Sequence, residues 1–241
     1  MDEPGYLFEP IIKMLRDEFG ADLLGVLATG SRIHGTPGPT SDLDAHVIIA
    51  QPRRQRRNIV LDEVEVEMFI NPPFQIRRYF GDRGHDEHMF TFGSAIYDPH
   101  GVVADLQAEA RARWEAGPPA VADAWLHRYA PADLLRDLED VATSDEATSI
   151  LLIAWIVEQL VESHYRLNCR WPAKPKRSLA DLERWDAHAA QLARAALICG
   201  PLDDRRVALE RLAAHTLAPI GGLMPLEWRN EWDELQANDE R

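Results

Sequence analysis

The chain has 241 residues, of which 46% are hydrophobic and 27% are charged. This length is enough for one large domain or for two small ones that each bury a core. Its formal net charge of −14 at pH 7 leaves no basic excess for neutralising phosphates, so we expect no polynucleotide partner. No apolar run approaches the ~18 residues of a membrane span, and the N-terminus lacks a signal-peptide pattern. We therefore expect a cytoplasmic protein that does not associate with membranes.

A helix and a strand open the chain. Apolar residues recur at helical spacing over residues 7–19 and predict an amphipathic helix. Residues 23–28 are apolar and predict a buried strand that leads into Gly30 and Ser31. We expect this Gly-Ser pair to begin a short helix, because the exposed N–H groups at a helix start favour anions such as phosphate. Arg32 is either a further contact of that anion or a surface arginine.

Two carboxylates come next. Asp42 and Asp44 lead into the apolar run Val47–Ile49, and alternation along a strand would point both carboxylates to the same side. Like charges this close are unfavourable unless a cation lies between them, and paired oxygen ligands suit Mg²⁺ with substrate phosphates. Asp pairs also occur in turns for structural reasons, but the buried-strand run favours a metal site. With Gly30 and Ser31 upstream, the pattern predicts metal-dependent nucleotidyl transfer.

A second acidic strand follows. Alternation over Val64–Ile70 predicts a strand with one apolar face and one face that carries Glu65 and Glu67. Either glutamate could supply a third metal ligand, and the strand pattern alone does not choose between them. The basic residues 53–57 lie between the two predicted strands and are expected to form a solvated hairpin loop, with contact to a nucleotide or RNA as the alternative.

The rest of the chain is predicted to be helical. The Gly-Pro-Pro sequence at 117–119 is a helix stop followed by rigid residues, so we expect a catalytic domain at 1–117 and a helical domain at 118–236. Residues 237–241 are expected to be a disordered tail. The helices of the predicted up-and-down bundle cover residues 132–141, 146–167, 179–197 and 203–217.

The order Gly-Ser, polar spacer, Asp-hydrophobic-Asp and third carboxylate resembles the polymerase-β-like nucleotidyltransferase superfamily. The segments Val66–Phe69 and Phe90–Asp98 resemble its kanamycin (aminoglycoside) nucleotidyltransferase group. The resemblance implies an α+β protein in which a small mixed-sheet nucleotidyltransferase domain precedes an all-α helical bundle domain. It also favours Glu67 as the third carboxylate, with Glu65 as solvated strand surface or as support for a ligand.

The resemblance further implies a set of site residues. The implied ligands of two Mg²⁺ ions are Asp42, Asp44 and Glu67. From the residue types themselves, the expected contacts of the nucleoside triphosphate are Gly30, Ser31 and Arg32, and Lys174 with Lys176 could neutralise its charge. A carboxylate of the helical domain would act as general base, and Asp137 is the first choice, with Asp140 and Glu139 behind it. Charged residues on such helices and loops are often only solvated, which is the alternative for Asp137 and Lys174.

The activity implied by the resemblance is transfer of a nucleoside monophosphate, AMP from ATP by preference, to a hydroxyl group of a small molecule, with release of pyrophosphate. An aminoglycoside-like antibiotic fits as acceptor, because an acidic protein attracts polycations, although acidity also simply aids solubility. Two alternatives stay open: a protein-modifying or antitoxin-type nucleotidyltransferase that acts on a partner protein, and a non-enzymatic nucleotide-binding module. The sequence does not specify the acceptor, the nucleotide or the oligomeric state.

Overall fold

The computed structural model describes residues 4–81, 84–121, 123–198, 200–230 and 232. The chain divides into two compact units, Met1–Pro118 and Pro119–Arg241. The tail predicted at 237–241 lies outside the described residues. Within the described ranges, no helix is both long and apolar enough to cross a lipid bilayer.

The first unit is built on a five-stranded sheet. The strands are β1 (Leu23–Thr29), β2 (Leu43–Ile49), β3 (Gln55–Leu61), β4 (Val64–Asn71) and β5 (Ser94–Tyr97). Their order in the sheet is β3-β4-β2-β1-β5, in which β2 and β4 are parallel and the other neighbouring pairs are antiparallel. This mixed sheet confirms the predicted fold class of the first domain. The helices are α1 (Phe8–Phe19), α2 (Pro73–Tyr79), α3 (His85–Phe92) and α4 (Val102–Ala116).

Each face of the sheet buries its own apolar cluster. Leu15 of α1 lies in one cluster with Val47 of β2. The next residue of β2, Ile48, lies in a second cluster with Phe90 of α3 and Leu106 of α4. Successive side chains of a strand point to opposite faces, so the continuous apolar run in β2 reflects burial on both faces. Two cores therefore hold this strand and the carboxylates at its start.

The expectation of a helix that begins at Gly30-Ser31 is wrong. Residues 31–35 form turns instead, and the N–H of Thr36 donates to the carbonyl of Ser31 at 2.9 Å. Gly35 has a φ of +67°, and a left-handed residue at this point ends the turn before a helix can form.

The predicted hairpin loop at 53–57 is also wrong, because strand β3 already begins at Gln55. The chain reverses instead at Asp62 and Glu63, which have φ values of 47° and 64°. Two consecutive residues with positive φ are typical of a two-residue hairpin turn, whose backbone twist matches the right-handed twist of the two strands. The basic residues Arg56 and Arg57 therefore lie on an edge strand of the sheet.

The second unit contains only helices as regular elements among its described residues, which confirms the predicted helical domain. The helices are α5 (Ala124–Val141), α6 (Glu146–Leu167), α7 (Ser178–Trp185), α8 (Ala187–Ile198) and α9 (Leu202–Thr216). Helix α6 packs against α5, α8 and α9 and contributes Leu152, Ile156 and Leu160, one turn apart, to the apolar cluster of this unit.

Two predicted helix boundaries in this unit are wrong. Helix α5 begins at Ala124 rather than at residue 132, and it contains Pro131 in its interior. The helix predicted over 179–197 is interrupted at Asp186, whose Oδ1 accepts a hydrogen bond from the N–H of Ala189 at 2.9 Å. An aspartate that caps a new helix start competes with continuation of the preceding helix.

Candidate active site

Three carboxylates converge on one face of the sheet. Asp42 precedes β2, Asp44 is the second residue of β2, and Glu67 lies in the middle of β4. The parallel pairing of these strands places Asp44 opposite Glu67, and neighbouring strands point paired residues to the same side. One oxygen from each of the three carboxylates lies within 4.8 Å of the other two. Such a set of oxygen ligands can hold a divalent cation.

The pairing register distinguishes the two glutamates that the sequence left open. Glu67 is half-buried and belongs to the carboxylate set. Glu65 is exposed, and its Oε1 accepts a hydrogen bond from Asn58 of β3. The structure therefore brings Glu67, and not Glu65, together with Asp42 and Asp44.

The backbone of Gly30 lies directly against this set. Thr29 at the end of β1 pairs with Asp44, so the next residue passes over the carboxylate. A Cβ atom on Gly30 would lie 2.5 Å from Oδ2 of Asp44, and the φ of Gly30 is +94°. Both the close approach and the left-handed backbone require glycine here.

The loop between Ser31 and Asp42 is held at its two ends by hydrogen bonds. The hydroxyl of Ser31 donates to the hydroxyl of Ser41 at 2.8 Å, and the N–H of Gly38 donates to the same oxygen at 2.8 Å. Nε of Arg32 donates to the carbonyl of Ser41 at 2.7 Å. Ser31 and Arg32, which the sequence assigns to the triphosphate, thus also fix the residue that precedes Asp42.

Arg56 is a neighbour of the site, although the sequence placed it first in a solvated loop and gave contact with a nucleotide only as the alternative. Its Nε donates to Oε1 of Glu67 at 2.8 Å, and its Nη2 contacts the same oxygen. The guanidinium also lies over the ring of Phe69, 4.8 Å from the centroid. The side chain of Arg56 is 67% exposed and that of Glu67 is 15% exposed, so this ion pair itself adds little stability. Had β3 been recognised as a strand, alternation would have placed Arg56 on the acidic face.

A cavity of about 520 Å³ adjoins this arginine. Among its lining residues, Nη1 of Arg54 donates to the hydroxyl of Tyr79 at 3.1 Å, and Phe69 stacks on the ring of the neighbouring His46 with centroids 5.0 Å apart. The lining residues are Arg54, Gln55, Arg56, Phe69, Asn71, Tyr79 and Asp86. A cavity of this volume suits a small ligand, and guanidinium groups beside aromatic rings suit a planar or anionic part of it.

The remaining predicted site residues lie in the second unit. Asp137 is exposed on α5, as are Glu139 and Asp140. Lys174 is exposed in the segment that precedes Ser178. The roles predicted for Asp137 as general base and for Lys174 as a triphosphate contact stay predictions.

No protein-family model matches the sequence, and no curated protein matches it either. Among the solved structures that it resembles is a nucleotidyltransferase-like protein from Exiguobacterium sibiricum, with a TM-score of 0.52 and 15% sequence identity. The match covers 88% of this chain and 74% of that chain. At such low identity the likeness shows the fold alone. It supports a nucleotidyltransferase-like fold and does not extend to the kanamycin group.

Proposed function

We propose that the chain is a divalent-metal-dependent nucleotidyltransferase. It transfers a nucleoside monophosphate, AMP from ATP by preference, to a hydroxyl group of a small molecule and releases pyrophosphate. The observation that carries the proposal is the convergence of Asp42, Asp44 and Glu67 within 4.8 Å, with the backbone of Gly30 against Asp44. The shared nucleotidyltransferase-like fold is consistent with this activity.

The chemistry of the carboxylate set fits Mg²⁺. Asp42, Asp44 and Glu67 offer oxygen atoms and no nitrogen or sulfur, which is the ligand set of a hard cation. Three carboxylates at this separation repel one another, and a bound cation would offset that repulsion. When bound, Mg²⁺ would make the acceptor hydroxyl more acidic and stabilise charge on the leaving pyrophosphate.

The reaction forms a bond between the acceptor oxygen and the α-phosphorus, breaks the bond from that phosphorus to the bridging oxygen, and releases pyrophosphate. The hydroxyl proton passes to a general base, for which we propose the carboxylate of Asp137. We propose that the turn after Gly30 holds the triphosphate, with the hydroxyl of Ser31 as a donor and Lys174 as a neutralising charge. The hydrogen bond from Arg32 to Ser41 would keep Asp42 in position during this step.

The cavity beside Arg56 suits the nucleotide better than a polycation. Arg54 and Arg56 contribute two positive charges to its lining, and Asp86 contributes one negative charge. We therefore propose that this cavity receives part of the nucleotide. A cationic acceptor such as an aminoglycoside would then be attracted by the net charge of −14 of the whole chain, rather than by this cavity.

The test of the activity is incubation with labelled ATP, Mg²⁺ and a library of hydroxyl-bearing acceptors, followed by mass spectrometry of the products. Glu67→Gln is expected to lose orders of magnitude in turnover, because it removes a ligand of the cation. Glu65→Gln is the matched control, since it changes the same residue type on the same strand, and it is expected to retain turnover. The reverse ranking would contradict the assignment of Glu67.

The acceptor class has a separate test. If the acceptor is a small polycation, kanamycin-like compounds should raise the melting temperature of the protein in low salt, and the rise should shrink as salt increases. The assay is run with and without a non-hydrolysable ATP analogue. The absence of any shift would favour another acceptor, including a hydroxyl of a partner protein, and would leave the transfer site unaffected.

A further inference from the structure

A second group of potential metal ligands lies in the helical unit and has no role in the proposed transfer. Nε2 of His164 on α6 lies 2.8 Å from Oδ2 of Asp186, and Nε2 of His215 on α9 lies 2.7 Å from the same oxygen. These three ligand atoms all lie within 4.8 Å of one another. Asp186 connects α7 to α8, so three separate parts of the helical unit converge on one point.

We propose that His164, Asp186 and His215 bind a divalent transition-metal ion of the zinc type. Two imidazole nitrogens and one carboxylate oxygen are a common protein ligand set for such ions. The side chains of His164 and Asp186 are 7% and 17% exposed, whereas that of His215 is 35% exposed. The ion would thus have three protein ligands and one position accessible to water on the side of His215.

The surroundings orient these ligands. Oδ1 of Asp186 accepts the N–H of Ala189 at 2.9 Å, which aims Oδ2 at the two imidazoles. The ring of Trp185 stacks on His164 with centroids 4.9 Å apart and limits its rotation. Ligands that are held by packing and hydrogen bonds lose little conformational entropy when an ion binds.

Only a small expansion would admit the ion. Bonds of about 2.0–2.1 Å at a tetrahedral angle separate two ligand atoms by about 3.3 Å. The two Nε2 to Oδ2 distances are 2.8 and 2.7 Å, so each imidazole would move away from Asp186 by roughly half an ångström. Without the ion, both imidazoles can donate to the carboxylate, and the same residues then form a hydrogen-bonded cluster.

Asn168 affects whether His164 favours binding of an ion or the hydrogen bond to Asp186. Its Nδ2 donates to the carbonyl of His164 at 2.8 Å and lies 3.3 Å from Nδ1 of the same residue. Because the amide of Asn168 is a donor beside Nδ1, it favours the tautomer of His164 whose proton is on Nε2. When Nε2 binds an ion, that proton must move to Nδ1. An acceptor at residue 168 would favour the metal-binding tautomer, as carboxylates do beside metal-bound histidines.

The test measures Zn²⁺ and Co²⁺ binding to the full chain in the Asp42→Asn background with excess Mg²⁺, so that the carboxylate site does not contribute. We expect one equivalent of Zn²⁺ to bind, to raise the melting temperature and to displace Co²⁺ with loss of its visible absorption. His215→Ala should weaken Zn²⁺ binding by at least about 100-fold, because it removes one of three ligands. His215 is chosen because it is the more exposed histidine, so its replacement should leave the fold intact.

Two further variants make the assignment specific. His188→Ala is the matched control, because this exposed histidine has its ring 5.0 Å from that of His215 but is outside the ligand set, and it should bind Zn²⁺ as the parent does. Asn168→Asp should strengthen binding about tenfold, an effect that a purely hydrogen-bonded cluster would not produce. The proposal is overturned if the parent shows no Zn²⁺-dependent shift, if His215→Ala binds as tightly as the parent, or if His188→Ala loses as much affinity as His215→Ala.

Discussion

Replacing Gly30 with alanine would place a methyl group against the carboxylate of Asp44. The added Cβ would lie 2.5 Å from Oδ2, whereas carbon and oxygen atoms in contact are normally about 3.3 Å apart. The carboxylate or the backbone must therefore shift by roughly 0.8 Å. A displacement of about 1 Å at a catalytic group can cost about 100-fold in rate, and we expect a loss of that order in kcat/KM.

Gly35→Ala separates this displacement from backbone strain. Gly30 and Gly35 both have positive φ, +94° and +67°, but a Cβ on Gly35 would meet no atom of the described residues within 4 Å. Alanine in a left-handed conformation costs about 1–2 kcal/mol, so both variants should lower the free energy of unfolding, and Gly30→Ala should lower it by at least as much as Gly35→Ala. Only Gly30→Ala should also disturb Asp44.

The assay compares the two variants by urea unfolding and by Mg²⁺-dependent nucleotidyl transfer from ATP. Mn²⁺ binding in the presence of ATP, followed by electron paramagnetic resonance, reports on the carboxylate site without an acceptor. We expect Gly30→Ala to lose metal affinity and transfer, and Gly35→Ala to retain both within about threefold. Wild-type transfer by Gly30→Ala, or an equal loss in Gly35→Ala, would refute the argument.

Three further predictions concern single side chains. Asp42→Asn should abolish transfer yet leave the melting temperature equal or higher, because it relieves repulsion in the metal-free protein; a large drop in melting temperature would contradict this. Arg56→Met should raise the KM for the nucleotide about tenfold in steady-state assays, while Arg57→Met, on the opposite face of β3, should leave it unchanged. The hydrogen bonds from the hydroxyl and N–H of Thr148 lower the pKa of Asp145. Its ionised form therefore stabilises the start of α6 above about pH 4, and this stabilisation is lost as the pH falls and the carboxylate is protonated. Asp145→Ala should therefore melt at a lower temperature than wild type at pH 7, with the difference narrowing below about pH 4, whereas Asp145→Asn should retain the cap.

Alternation and apolar patterning in the sequence were enough to predict several features of the fold. They predict α1, the strands β1, β2 and β4, and a helical second half, because each of these elements depends mainly on local spacing of apolar residues. The same alternation predicts that Asp42 and Asp44 share one face of a strand. The spacing of apolar residues does not predict the start of β3, because residues 55–57 show no apolar alternation. It also does not predict the interruption at Asp186, where capping of α8 competes with an otherwise continuous helical pattern.

The tertiary structure decided the features that depend on contacts between distant parts of the chain. The choice between Glu65 and Glu67 depends on the parallel register of β2 and β4, which two strands separated in sequence adopt only when their apolar faces pack together. The pairing of Arg56 with Glu67 requires the β3–β4 hairpin. The convergence of His164 and His215 on one carboxylate oxygen requires the packing of α6, α8 and α9, and no local spacing in the sequence indicates it.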